Sequence, residues 1–216
     1  IPIVSHFQQT DKSTVRFIYE KGFSFIVFIV FPLFAGIILF TPYLSKIWIG
    51  NVEPVFVFCC YILASGMLIN ILNAQAYYNS LGEGQLNGIM FMTVFVLVFN
   101  ILMGIILGSS LPTYGVVISY AVSTALGSLY LIGYYQKYNN IRIKEIIRKP
   151  DRIIIISSLL FSLISGFFLI RIGKQFDYSL VSMFIYIVVF IIFFTMVSYK
   201  NNNFKLLNIF QYFREK

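Results

Sequence analysis

Long apolar runs without acidic residues are the feature that most restricts how this chain can fold. Residues 23–47, 55–77, 87–134, 153–170 and 178–199 carry no Asp or Glu. A helix crosses the roughly 30 Å of bilayer hydrocarbon with about 20 apolar residues. Only 11% of the chain is charged, against about 25% in an ordinary soluble domain. The pattern therefore predicts an all-α polytopic membrane protein with six transmembrane helices, two of them within residues 87–134.

Small residues recur at every fourth position in residues 87–134, on both sides of a turn at Pro112. Positions i and i+4 lie on one face of a helix, and helices in lipid associate through close packing of small residues. We therefore expect a tightly packed helical hairpin, with the remaining helices around it. The repeats are Gly104 and Gly108, following Asn100, in the first helix and Gly115, Ser119, Ser123 and Gly127 in the second.

The distribution of Lys and Arg predicts the orientation of the chain. Residues 1–22 are expected to be a linker that contains the end of a preceding helix, residues 23–199 the six-helix bundle, and residues 200–216 an amphipathic tail. With six alternating spans, thirteen Lys and Arg fall on one side and three on the other. Since cytoplasmic loops carry the excess of positive charge, both ends of the chain are predicted to be cytoplasmic.

A few polar side chains lie within or beside the predicted spans. Asn70, Asn73 and Gln75 belong to the second span, Asn100 to the third, and Lys46 to the far end of the first. An amide in hydrocarbon is costly unless it is hydrogen-bonded. Two interpretations follow: these amides bond neighbouring helices to one another, or they line a hydrated cavity.

Several classes of function are disfavoured by what the sequence lacks. All eight acids lie outside the predicted spans, and there is one histidine, His6. Cys59 and Cys60 are adjacent within an apolar run, which suggests neither a disulfide framework nor a metal site. No phosphate-binding loop or zinc motif is present. We predict no enzymatic activity, no cofactor and no metal, and we interpret the net charge of +8 as a topological signal rather than a sign of nucleic-acid binding.

Three stretches together resemble a known family. Residues 2–11 begin with PIVS and continue into polar sequence, and residues 76–84 read AYYNSLGEG. Asn100 is followed by residues 111–117, LPTYGVV. In this order and spacing they resemble bacterial polysaccharide flippases of the multidrug, oligosaccharidyl-lipid and polysaccharide exporter superfamily. The chain departs from that pattern at Ile118, where a small residue is usual.

The resemblance covers roughly residues 1–140 and implies a fold and a function. Such flippases have two helical bundles around a central cavity, and they carry undecaprenyl-pyrophosphate-linked oligosaccharides across the bacterial plasma membrane by alternating access. Because they have more spans than the six predicted here, the chain is expected to be the C-terminal half, partnered by an N-terminal half bundle of the same protein and by membrane lipids.

The resemblance also suggests roles for individual residues and leaves two other functions open. Asn70, Asn73, Gln75 and Asn100 would hydrogen-bond sugar hydroxyls of the lipid-linked oligosaccharide. The pyrophosphate calls for cationic groups, which would come from the missing half or from interface residues such as Lys46. The alternatives are a multidrug antiporter of the same superfamily and a non-transporting membrane scaffold of a glycan-synthesis complex.

Overall fold

The described part of this protein, residues 12–172 and 180–200 of a computed structural model, is 89% helical and contains no strand. The amphipathic tail and the start of the linker, both predicted from sequence, lie outside the described residues. Within them there are eight helices: α1 Lys12–Ile49, α2 Pro54–Leu72, α3 Ala74–Gly82, α4 Leu86–Ser110, α5 Gly115–Tyr138, α6 Ile143–Ile146, α7 Lys149–Ile172 and α8 Leu180–Lys200.

Four helical segments among the described residues are long and apolar enough to cross a membrane. They are Thr14–Ile49, Pro54–Gly82, Leu86–Ser110 and Gly115–Tyr138. The predicted all-α class is confirmed for this part of the chain, and its four long apolar helices are compatible with a multi-pass membrane protein. Helix α8 contains a shorter apolar stretch, Tyr186–Val197. The count of six spans and the arrangement in two bundles stay predictions.

The chain divides into two compact units. The first comprises Ile1–Ile26 and Ser65–Arg148, and the second Val27–Ala64 and Lys149–Lys216. Helices α3 to α6 therefore belong entirely to the first unit, and α7 and α8 to the second. Helices α1 and α2 contribute residues to both units, because the division falls inside each of them.

The first unit is organised around the α4–α5 hairpin. The turn between the two helices is closed by backbone bonds: the Leu111 amide donates to the Leu107 carbonyl and the Gly115 amide to the Leu111 carbonyl, both at 2.7 Å. At the first residue of α5, a Cβ at Gly115 would collide with the backbone carbonyl of Leu107. Further along the same hairpin, a Cβ at Gly127 would collide with the side chain of Val96. Glycine is what permits the two backbones to approach this closely.

Two further helices of the first unit pack against α5. On α2, the buried Gly66 lies so close to α5 that an added Cβ would be 2.8 Å from the Ala121 carbonyl oxygen. On α1, the ring of the fully buried Tyr19 lies 4.7 Å from the ring of Tyr135, centroid to centroid. Helices α1, α2 and α4 therefore all contact α5 within this unit.

The second unit has an aromatic core. Leu39 and Tyr43 of α1 are buried, and rings from α7 and α8 pack against them. Phe161 of α7 stacks on Phe193 of α8 at 5.1 Å and meets Phe190 edge-on at 5.5 Å. On α1, a Cβ at Gly36 would lie 3.4 Å from the Phe190 ring.

Candidate functional site

The amides predicted to contact a substrate fall in one unit of the structure. Asn70, Asn73, Gln75 and Asn100 belong to the first unit, whereas Lys46 belongs to the second. The first unit places these amides on α2, on α3, on the joint between those two helices, and on α4. The candidate site is therefore built from the amides of α2 to α4 and from the face of α5 that meets them.

Asn100 lies in the middle of α4 and contacts α5. The Ser119 hydroxyl donates to both the backbone carbonyl of Asn100, at 2.8 Å, and its side-chain oxygen Oδ1, at 2.9 Å. Ser119 is fully buried. Because a serine hydroxyl has a single hydrogen to donate, this one O–H is shared between the main-chain and side-chain acceptors of Asn100. In hydrocarbon such a bond between helices contributes on average about 0.6 kcal/mol.

Asn70 makes the corresponding contact between α2 and α5. Its Oδ1 accepts a hydrogen bond from the hydroxyl of Ser128 at 3.1 Å, and its Nδ2 lies 4.0 Å from the sulfur of Met67 on its own helix. The side-chain oxygen of Asn70 is therefore hydrogen-bonded across helices, while its amide nitrogen lies near the weak sulfur acceptor of Met67.

Asn73 occupies the joint where α2 ends and α3 begins. Its backbone amide is shared between the carbonyls of Ile69 and Asn70, both at 3.2 Å, which marks a local change in the helical hydrogen-bond pattern. The side chain is 3% exposed. Its Nδ2 lies 3.5 Å from the sulfur of Met92 on α4, and its Oδ1 has no hydrogen-bond partner among the described residues. Asn73 thus presents an unsatisfied acceptor between two helices.

Gln75 and Lys46 do not join this row of amides. Gln75 lies on α3 against α1, where a Cβ at Gly22 would be 2.5 Å from its Cδ. Lys46 is half-buried in the last turn of α1. The structure therefore brings Asn70, Asn73 and Asn100 to helix contacts within one unit and gives Gln75 a different neighbour.

The remaining small residues of the predicted packing face also lie at the α4–α5 contact. Ser119 and Ser123 are fully buried. A Cβ at Gly104 would lie 3.7 Å from the Ser119 hydroxyl, and one at Gly108 would lie 3.7 Å from Val116 Cγ2. These two positions of α4 have room for a methyl group, unlike Gly115 and Gly127 of α5.

Sequence reasoning missed a polar cluster where α3 and α5 end. The Tyr135 hydroxyl donates to Glu83 Oε1 at 2.7 Å, and Asn139 Nδ2 donates to Glu83 Oε2 at 3.4 Å. Gln136 Nε2 donates to the Tyr19 hydroxyl of α1 at 3.4 Å. These bonds tie the loop after α3 to α5 and α5 to α1. The partners are 52 to 117 residues apart in the chain, so no local pattern predicts them.

A set of ion pairs joins α1 to the segment that follows α5. Arg16 pairs with Glu20 at 3.0 Å and with Glu145 at 2.7 Å, and Arg148 pairs with Glu20 at 2.9 Å. Their side chains are 17% to 43% exposed. Exposed pairs of this kind contribute up to about 1 kcal/mol each, so we regard the set as an orienting contact.

The chemistry available at the site is that of neutral hydrogen bonding. No group of three or more His, Cys, Asp or Glu side chains suited to a metal ion occurs among the residues that the structure describes. An asparagine side chain offers one acceptor oxygen and two donor hydrogens. The arrangement can therefore recognise hydroxyl and amide groups through Asn70, Asn73 and Asn100.

Comparison of this chain with protein-family models, with curated proteins and with solved structures finds no match.

Proposed function

We propose that this chain is the C-terminal half-bundle of a bacterial polysaccharide flippase, with six spans and both ends in the cytoplasm. Together with an N-terminal half bundle of the same protein it would move an undecaprenyl-pyrophosphate-linked oligosaccharide across the plasma membrane. The observation that carries the proposal is the buried Asn73, whose Oδ1 lacks a partner among the described residues. It lies three residues before the start of residues 76–84, one of the stretches that resemble this family.

An unsatisfied amide oxygen inside a membrane span needs an explanation, because burying it without a hydrogen bond costs roughly 1–3 kcal/mol by mutational measures. A sugar hydroxyl that donates to Asn73 would remove this cost in the loaded state. Asn70 and Asn100 already accept bonds from Ser128 and Ser119, so a sugar hydroxyl that bonds to either amide would displace a serine donor, and that buried serine would then need another acceptor.

The pyrophosphate requires a different source of binding energy. Phosphate oxygens are recognised by Arg and Lys through charge-assisted hydrogen bonds, and the amides of the site supply no charge. In the proposed flippase the cations come from the N-terminal half bundle or from cationic residues at the membrane interface, of which Lys46 is one example. Neutral groups for the sugar and separate cations for the pyrophosphate together suit a large amphiphilic substrate.

The test is the double variant Asn73→Ala/Asn100→Ala in the intact protein, assayed for surface polysaccharide and for lipid-linked oligosaccharide retained inside the cell. Losing two hydrogen bonds of about 1 kcal/mol each corresponds to an export rate lowered roughly 30-fold at subsaturating substrate. The matched control is Thr93→Val on α4, because the Thr93 hydroxyl donates to its own helix at the Ile89 carbonyl.

Unchanged polysaccharide in the double variant, with normal protein in the membrane, would remove these residues from the substrate path. Transport of small cationic drugs in exchange for protons by reconstituted protein would favour the multidrug antiporter. Absence of any flux in vesicles that contain the intact protein would favour the scaffold.

A further inference from the structure

Five aromatic rings form a continuous series of contacts along one side of the α4–α5 hairpin. On α4, Phe91 and Phe95 stack at 6.3 Å between ring centroids, and Phe95 and Phe99 at 5.3 Å. The series crosses to α5 where the rings of Phe91 and Tyr130, tilted by 40°, approach to 4.7 Å, and it continues to Tyr134 at 6.0 Å. We call these five residues the aromatic ladder.

The aromatic ladder is partly exposed on its outer side and runs along the axes of α4 and α5. Phe91 is 54% exposed and Tyr130 is 38% exposed, and the other three rings are half-buried. From Phe99 to Tyr134 it extends about 18 Å at 1.5 Å per helical residue. It therefore covers about half of the hydrocarbon thickness, from the middle of α4 toward one membrane surface.

The end of the aromatic ladder nearest the membrane surface is followed by positive charge. Lys137 lies one helical turn beyond Tyr134 on α5 and is exposed, and so is Arg142 in the segment after α5. Tyr138, 60% exposed, adds an aromatic ring at the same level, where tyrosine is favoured at membrane interfaces. A ligand that follows the ladder would have a long apolar part and an anionic head.

We propose that the aromatic ladder binds the isoprenoid chain of a polyprenyl phosphate or pyrophosphate, with Lys137 and Arg142 at the phosphate. This inference rests on the proposed function, because it assigns the lipid part of that same substrate. A polyprenyl chain carries a double bond and a methyl branch in every unit, so its alkene π faces can pack against ring after ring. A saturated acyl chain also places C–H groups on the rings, but it has no π faces and gains dispersion contacts alone.

The experiment compares two tyrosines that differ in their relation to the aromatic ladder. Tyr130 lies within it and Tyr120 outside it, both on α5 and both 38% exposed. We would measure binding of undecaprenyl phosphate and of the saturated dihexadecyl phosphate to the intact protein in lipid nanodiscs. Tyr130→Leu is expected to weaken undecaprenyl phosphate binding about fivefold, since an aromatic contact contributes about 0.5–1.5 kcal/mol. Tyr120→Leu should leave it unchanged, and Tyr130→Leu should weaken binding of the saturated phosphate less than binding of undecaprenyl phosphate.

A second variant tests the charged end without touching the packed helices. Lys137→Gln is expected to lower the affinity for undecaprenyl phosphate and to make that affinity less sensitive to salt concentration. Binding of the uncharged undecaprenol should stay unchanged. Equal binding of undecaprenyl and saturated phosphates by the unaltered protein, or equal effects of Tyr130→Leu and Tyr120→Leu, would overturn the proposal.

The readout separates this inference from the proposed function. Suppose that Tyr130→Leu, but not Tyr120→Leu, weakens binding of undecaprenyl phosphate, while polysaccharide export is normal in the Asn73→Ala/Asn100→Ala variant. The proposal that the aromatic ladder binds the lipid is then supported, and the assignment of the amides to the sugar path is wrong. If export fails in that double variant but undecaprenyl phosphate binds Tyr130→Leu as it binds the unaltered protein, the flippase proposal stands and the ladder is wrong.

Discussion

The close approach of α2 to α5 at Gly66 leads to a sharp prediction about stability. Gly66→Ala adds one methyl group to a buried position of α2. The new Cβ would lie 2.8 Å from both Cα and the carbonyl oxygen of Ala121, and 3.0 Å from its Cβ. Ordinary van der Waals contact begins at 3.4 Å. Two of the three obstructing atoms are backbone, so no rotamer change relieves the clash and the helices must separate.

The magnitude follows from two opposing contributions. Forcing an extra methyl group into a packed contact costs typically about 1–3 kcal/mol. Replacing glycine by alanine inside a helix gains about 1 kcal/mol of helix propensity. Gly133→Ala on α5 isolates the second contribution, because no other described heavy atom lies within 4 Å of the added Cβ. Gly66→Ala should therefore be less stable than Gly133→Ala by about 1–3 kcal/mol.

The assay is the apparent unfolding temperature of the detergent-solubilised protein, followed by loss of the monodisperse peak in size-exclusion chromatography. A difference of about 2 kcal/mol corresponds to roughly 4–8 °C for a chain of this size. The order expected is Gly133→Ala at or above the unaltered protein and Gly66→Ala below it. If Gly66→Ala and Gly133→Ala have the same apparent unfolding temperature, α2 and α5 do not pack at this distance, and the arrangement of the first unit described above is incorrect.

Three further predictions concern two hydrogen bonds and the orientation of the chain. A double-mutant cycle on Asn100→Ala and Ser119→Ala should give a coupling of about 0.6 kcal/mol, the usual value for a hydrogen bond between membrane helices. Tyr135→Phe removes the donor to Glu83 and should lower the free energy of unfolding by about 1.5–3 kcal/mol, since the acceptor is charged. A cysteine that replaces Lys137 in a cysteine-free background should react with an impermeant thiol reagent in inverted membrane vesicles but not in intact cells, because the positive-inside rule places it in the cytoplasm.

Each of these three predictions can be refuted independently. Additive effects in the cycle would mean that the Ser119 bond to Asn100 does not contribute to stability. A Tyr135→Phe variant as stable as the unaltered protein would mean that the bond from Tyr135 to Glu83 does not contribute to stability. Labelling of the substituted cysteine in intact cells would reverse the predicted orientation of the chain.

The helical spans were largely predictable because their causes are local. Apolar composition over about 20 residues decides whether a helix can cross lipid, and this signal predicted spans where the structure has α1, α2, α4 and α5. The boundaries of the α4–α5 hairpin were equally visible, since Pro112 and Gly115 punctuate an otherwise uninterrupted apolar run. The joint at Asn73 was not predicted, because no proline or glycine marks it.

The sequence by itself determined that the chain is helical, apolar and built with faces of small residues, because these properties depend on residue spacing and on the hydrocarbon thickness. The tertiary structure alone decided which residues meet: Gly66 with Ala121, Asn70 with Ser128, and Tyr135 with Glu83. These partners lie on helices far apart in the chain, and their contacts depend on helix rotation and approach, which composition does not encode. The aromatic ladder shows both sources. Phe91, Phe95 and Phe99 share a face by helical periodicity, whereas only packing joins Phe91 to Tyr130.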